Sequence, residues 1–125
     1  MVAHPGRLGN RQVRRLIAAT DPSAAAFSER LLHRLLRAAG IVGWVAAYRL
    51  PSGGELDVAF PRHRLAIEVD GWAWHSDPTR FQRDRDKQNA LMRAGWVVLR
   101  FTWHDLVERP QYVVATVRAA LAVAA

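Results

Sequence analysis

The sequence predicts an α/β domain, a mixed β-sheet flanked by helices and built around a central β-hairpin, and three observations carry that reading. Strand-like segments at 44–50, 55–60 and 65–70 follow one another, separated by turn residues. A helical segment at 78–94 then serves as the crossover to a nearly all-apolar strand at 96–101, parallel to its neighbour and covered on both faces. Apolar helices at 23–39 and after Pro110 supply the covering layers.

Taken in order, residues 10–19 form a short basic helix, with Val13, Leu16 and Ile17 on one side and Arg11, Arg14 and Arg15 on the other, ended by Asp21 and Pro22. In 23–39 the residues Phe27, Leu31, Leu32, Leu35 and Leu36 recur at helical spacing, and Gly40 provides the stop. Pro51, Ser52, Gly53 and Gly54 make a hairpin turn, residues 61–64 a second turn, and Gly71 ends the third strand. Asp77 followed by Pro78 starts a helix, since the side-chain oxygen caps free N–H groups and proline suits the first position. Gly95 ends it. Its sheet-facing row is expected to be Phe81, Asp84, Gln88, Leu91 and Met92. The division that follows is a basic N-terminal helical segment, 1–22, and a single domain, 23–125.

Composition narrows the function classes. With 18 Lys and Arg against 11 Asp and Glu, the chain carries +7, which suits a polyanion such as nucleic acid. It has no cysteine, which excludes disulfides, zinc ribbons and thiol nucleophiles. A secretory leader pattern and an apolar run of about 20 residues are both missing, so the expectation is a cytoplasmic protein with no membrane partner.

Strand alternation singles out a set of acids. Glu68 and Asp70 share one face of their strand, with Leu65, Ile67 and Val69 on the other. In the strand before it, Leu56, Val58 and Phe60 take one face and Glu55, Asp57 and Ala59 the other. Pairing Phe60 with Leu65 across the turn sets Asp57 opposite Glu68. Opposed carboxylates repel unless something neutralises them. A divalent cation would do so, and so would arginines at a sheet edge. Asp84, on the sheet-facing row of the crossover helix, needs a partner across the site or on the sheet. Arg80, Arg83 and Lys87 lie along a neighbouring stripe fit to meet phosphates, and Trp72 and Trp74 flank the acidic strand.

The segments Asp57-Val58-Ala59-Phe60, Ile67-Glu68-Val69-Asp70-Gly71, Trp74-His75, Arg83-Asp84-Arg85 and Gly95-Trp96-Val97-Val98-Leu99-Arg100-Phe101 closely resemble the very short patch repair (Vsr)-like endonucleases of the PD-(D/E)XK, restriction endonuclease-like superfamily. The resemblance covers about residues 23–110. It implies a Mg²⁺- or Mn²⁺-dependent endonuclease acting on DNA, with Asp57 and Glu68 as metal-binding carboxylates and the Val69 carbonyl as a further ligand. Asp70, counted with Asp57, Glu68, His75 and Lys87 as a catalytic candidate, stands where the superfamily usually has Lys and Vsr enzymes have His, so the cation of the site must come from Lys87 or Arg83. His75 matches a functional histidine of Vsr enzymes and would move a proton, or would simply bond to a loop. Glu29 resembles a helix-borne acid directed at the metal through water, although an acid beside Arg30 and His33 also fits a solvated face. Asp84 would support the site, and Arg80, Arg83, Trp72 and Trp74 would contact the nucleic acid. Two alternatives stay open: a nucleic-acid-binding module with impaired catalysis, and a toxin or mobile-element effector that needs a partner.

Overall fold

The computed structural model describes residues 22–70 and 78–124. Expectations for the N-terminal basic helix, the Asp77 cap, Trp72, Trp74 and His75 fall outside them. Within them the order is α1 (Pro22–Ala38), β1 (Val45–Arg49), β2 (Glu55–Phe60), a 3₁₀ turn (Pro61–His63), β3 (Leu65–Asp70), α2 (Pro78–Arg93), β4 (Val97–Thr102), α3 (Trp103–Glu108) and α4 (Pro110–Ala124).

The four strands make one sheet in the order β1-β2-β3-β4. The first three pair antiparallel, while β4 returns parallel to β3 through α2. The mixed, helix-flanked sheet expected from the sequence is therefore the observed fold. One face packs under α1, α3 and α4, where Leu32, Leu36, Leu106, Val113 and Val117 meet Val58, Phe60, Leu65, Ile67 and Phe101. Each such side chain stabilises the fold by about 1.5–3 kcal/mol on burial, and Leu32→Ala would cost about 2–5 kcal/mol. The other face packs under α2, with Leu91 against Leu56, Ala59 and Ala66.

Three expectations change. Leu56 does not share a face with Val58 and Phe60, because it packs in the α2 layer with Ala59. The alternation breaks at Asp57, beside which Ala47 takes a left-handed backbone (φ 50°) and drops out of the β1–β2 pairing. On α2, Phe81 and Met92 are exposed rather than turned to the sheet. The inward row instead runs through Asp84, Lys87, Gln88 and Leu91, spaced i, i+3, i+4, i+7, because the end of the sheet beneath it is polar. Lastly, α3 was not foreseen. A capping box starts it: Thr102 Oγ1 accepts the Asp105 N–H (3.1 Å) and Asp105 Oδ2 accepts the Thr102 N–H (3.0 Å).

Candidate active site

The β2–β3 pairing runs Phe60 with Leu65, Ala59 with Ala66 and Val58 with Ile67. At the next step side chains replace the backbone ladder. The Asp57 N–H donates to Glu68 Oε2 (2.9 Å), and the Val69 N–H donates to Asp57 Oδ2 (2.8 Å). Each acid thus satisfies a backbone donor on the opposing strand, and the two carboxylates fill the gap where the strands separate.

Glu68 is 8% exposed, and its second oxygen is taken by a cation: Lys87 Nζ lies 2.7 Å from Oε1. The ammonium also donates to the Glu55 carbonyl at 3.2 Å. Its stem passes the β1–β2 turn at Gly54 (φ +90°), where an added Cβ would stand 3.4 Å from Lys87 Cδ. Glycine suits that position on both counts, the positive φ and the close approach.

Asp57 is not so neutralised. Burial first, and then the charge of Glu68, push its carboxyl up to about 7, against the opposing pull of the Val69 N–H. Glu29 on α1 adds in the same direction and is itself raised, by burial and then by Glu55 and Glu68. The helix acid and the strand acids therefore feel one another.

Farther along β3, Asp70 binds Arg100 of β4, whose Nη1 is 2.9 Å from Oδ1. Arg100 Nη2 reaches Asp84 of α2, at 2.8 Å and 2.9 Å from its two oxygens. One guanidinium thereby ties β3, β4 and α2 together. Arg100 is a site residue that the expected set does not contain, and its signal in the sequence is a lone arginine within the apolar run Val97-Val98-Leu99-Arg100-Phe101.

These groups surround a cavity of about 240 Å³. Five carboxylates line it, from Glu55, Asp57, Glu68, Asp70 and Asp84, against three cations, from Arg80, Lys87 and Arg100. A net acidic cavity in a chain of charge +7 is a local arrangement that the overall composition hides. Arg83 is elsewhere, lining an adjoining opening with Ser52, Gly53 and Gly54, so Lys87 and not Arg83 meets the acids. Among the described residues no three His, Asp or Glu side chains are grouped to hold a metal by themselves. The donor set nevertheless fits a hard divalent cation, which takes one or two carboxylates and completes its shell with carbonyl, water and phosphate oxygens.

The model of the REase_MTES_1575 family matches residues 28–121, well over half of the chain. The chain belongs to this restriction endonuclease-like family. REase_MTES_1575 membership takes in α1 from Ser28 onward, the whole sheet and most of α4, and so every element that carries the acids. Two curated relatives, the uncharacterized proteins Rv2248 and MT2308 of Mycobacterium tuberculosis strains H37Rv and CDC 1551, are 33% identical over 61 residues. That match takes in 46% of this chain and 22% of each relative, so the chain spans about a fifth of their length. The catalytic domain of the homing endonuclease I-Bth0305I superposes with a TM-score of 0.64 at 23% identity, covering 78% of this chain and 95% of that domain. It shares the fold of this family member.

Proposed function

We propose that the chain hydrolyses phosphodiester bonds in DNA with the help of Mg²⁺ or Mn²⁺, as a single domain over 23–125 preceded in sequence by the basic segment 1–22, in the cytoplasm. The observation that carries this reading is the Lys87–Glu68 contact beside Asp57, an acid pair with one cation in a cavity that has negative charge to spare. Asp57, Glu68 and the Val69 carbonyl would hold the ion. When bound, the ion supplies Lewis-acid stabilisation of charge on a phosphoryl oxygen.

The remaining roles belong to the chain itself. Lys87, fixed by Glu68 and the Glu55 carbonyl, presents an ammonium to the charge that develops at the phosphate, as the lysine after the second acid does elsewhere in the superfamily. Asp70 takes no part in that task, because its carboxylate is committed to Arg100. In this the site parallels the Vsr enzymes, which also lack lysine there. Glu29 orients the acids from α1, and Asp84 holds α2 through Arg100. His75 moves the proton, while Arg80, Arg83, Trp72 and Trp74 hold the nucleic acid.

The test is a cleavage assay on plasmid, mismatched duplex, single strands and RNA, with Mg²⁺, Mn²⁺ or chelator. Metal-dependent cleavage of DNA that Asp57→Ala abolishes is the expected result. Undiminished cleavage by that variant would remove the central acid from the scheme. Retention of DNA without cleavage by the unaltered chain would favour the second reading, a binding module, which the acid at position 70 supports.

A further inference from the structure

A second charged surface begins where the acidic one ends. On α1, at 3.6 residues per turn, Glu29 and His33 border the buried side of Leu32 and Leu36, and Arg37, Arg30 and Arg34 follow in turn around the exposed side. Arg30, Arg34 and Arg37 are exposed and lie within about 60° of one another around the helix axis. None of the three takes part in an ion pair among the described residues, whereas Lys87 and Arg100 are both committed to carboxylates. Three cations are thus left side by side on one helix face.

That face is also partly rigid. The Arg37 guanidinium lies 5.4 Å from the centre of the Trp44 ring, and His33 stacks on the same ring at 5.1 Å. The Trp44 indole is fixed in turn by donating Nε1–H to the Ile41 carbonyl at 3.0 Å. A guanidinium held over an aromatic ring loses little freedom on meeting an anion.

We propose that the Arg30–Arg34–Arg37 face of α1 binds the sugar-phosphate backbone of the nucleic acid on the flank of the carboxylate cleft, an inference that rests on the nuclease reading above. Seven residues of helix span about 10 Å, and one strand of a duplex carries a phosphate about every 3.4 Å of its axis. Because a strand winds as it rises, successive phosphates stand farther apart than that axial step, and the face matches about two of them. Glu29 marks its boundary with the cleft, since it feels the charges of Glu55 and Glu68. α1 and α2 cover opposite faces of the sheet, so the arginines of α1 lie in the layer opposite Arg80, which lines the cleft from α2.

The test measures binding of a labelled duplex to the full chain in chelator across a series of salt concentrations. The Arg30→Gln/Arg34→Gln double variant should lower the slope of log K against log salt by about two, one phosphate contact per arginine. Arg30→Lys/Arg34→Lys should keep the slope, because each lysine still neutralises a phosphate. With Mg²⁺, the Gln variant should raise KM and leave kcat at saturation unchanged. An unchanged slope in the Gln variant overturns the proposal, whatever the cleavage assay shows. Failure of the unaltered chain to bind duplex overturns it together with the nuclease reading. Binding without cleavage, with the slope difference intact, sinks only the nuclease reading and supports this surface. Capture by anionic phosphatidylserine vesicles that the Gln variant loses, with the duplex slope unmoved, would assign the face to a lipid surface and overturn the proposal.

Discussion

Lys87 and Glu68 come from the crossover helix and from the strand before it, and they meet at 2.7 Å at the wall of a cavity richer in acid than in base. Their side chains are only 20% and 10% exposed, so the pair is largely removed from water. Lys87→Met should therefore lower the cleavage rate by about a hundredfold or more, the usual effect of deleting a donor aimed at developing charge. Circular dichroism should report an intact fold. Wild-type kcat in that variant would exclude Lys87 from the chemistry.

Asp57 gives a prediction about metal-free stability. Unfolded, its carboxyl releases a proton near 3.8, and folded near 7. Between those values the folded state holds the additional proton. Its contribution is thus complete below about 3.8 and declines as pH rises toward 7. Glu29, also raised, acts in the same sense. In chelator, the denaturation midpoint should fall between pH 4 and pH 8, and saturating Mg²⁺ should flatten that fall. A wild-type midpoint that rises over the same window in chelator, relative to Asp57→Asn, would contradict the burial and repulsion inferred for Asp57.

The same reasoning makes Asp57→Asn a stabilising substitution. Asparagine keeps an oxygen for the Val69 N–H yet places no charge beside Glu68. At pH 8 in chelator its melting temperature should exceed wild type by about 2–6 °C, the equivalent of about 1 kcal/mol, while metal-dependent cleavage disappears. Calorimetry decides the point, and a lower melting temperature counts against it.

Arg100 holds two acids, so its loss leaves two charges poorly compensated. Arg100→Met should cost about 1–3 kcal/mol, less than a fully buried ion pair would because the three side chains are 27–28% exposed. A double-mutant cycle of Asp84→Ala with Arg100→Ala should return a coupling above about 0.5 kcal/mol. Additive effects would mean that the guanidinium does not tie α2 to the sheet.

Much of the sheet was legible because its signals are local. The bounds of β2 and β3 follow from turn residues, and their register follows from Phe60 facing Leu65 across a short turn. That register was enough to bring Asp57 beside Glu68. What escaped the sequence depends on angles and on long-range partners. The choice of Lys87 over Arg83 turns on a rotation of α2 set by Leu91 and by the Arg100–Asp84 bond, which no periodicity in so polar a helix reveals. The switch of Leu56 to the α2 layer reflects a break at Asp57 and Ala47, where carboxylates displace the ladder. The capping box of α3 and the lone Arg100, by contrast, have local signals in Thr102-x-x-Asp105 and in a charge within an apolar run.

The hairpin acids and the ammonium that serves them are supplied by separate pieces of chain joined through residues 71–77. Undocking α2 would strip the hairpin of its basic partner and uncover Leu56, Ala59 and Ala66, so the site and one face of the sheet depend on the same helix. Amide hydrogen exchange on α2 should therefore rise together with exchange at Leu56, Ala59 and Ala66 whenever the site is lost.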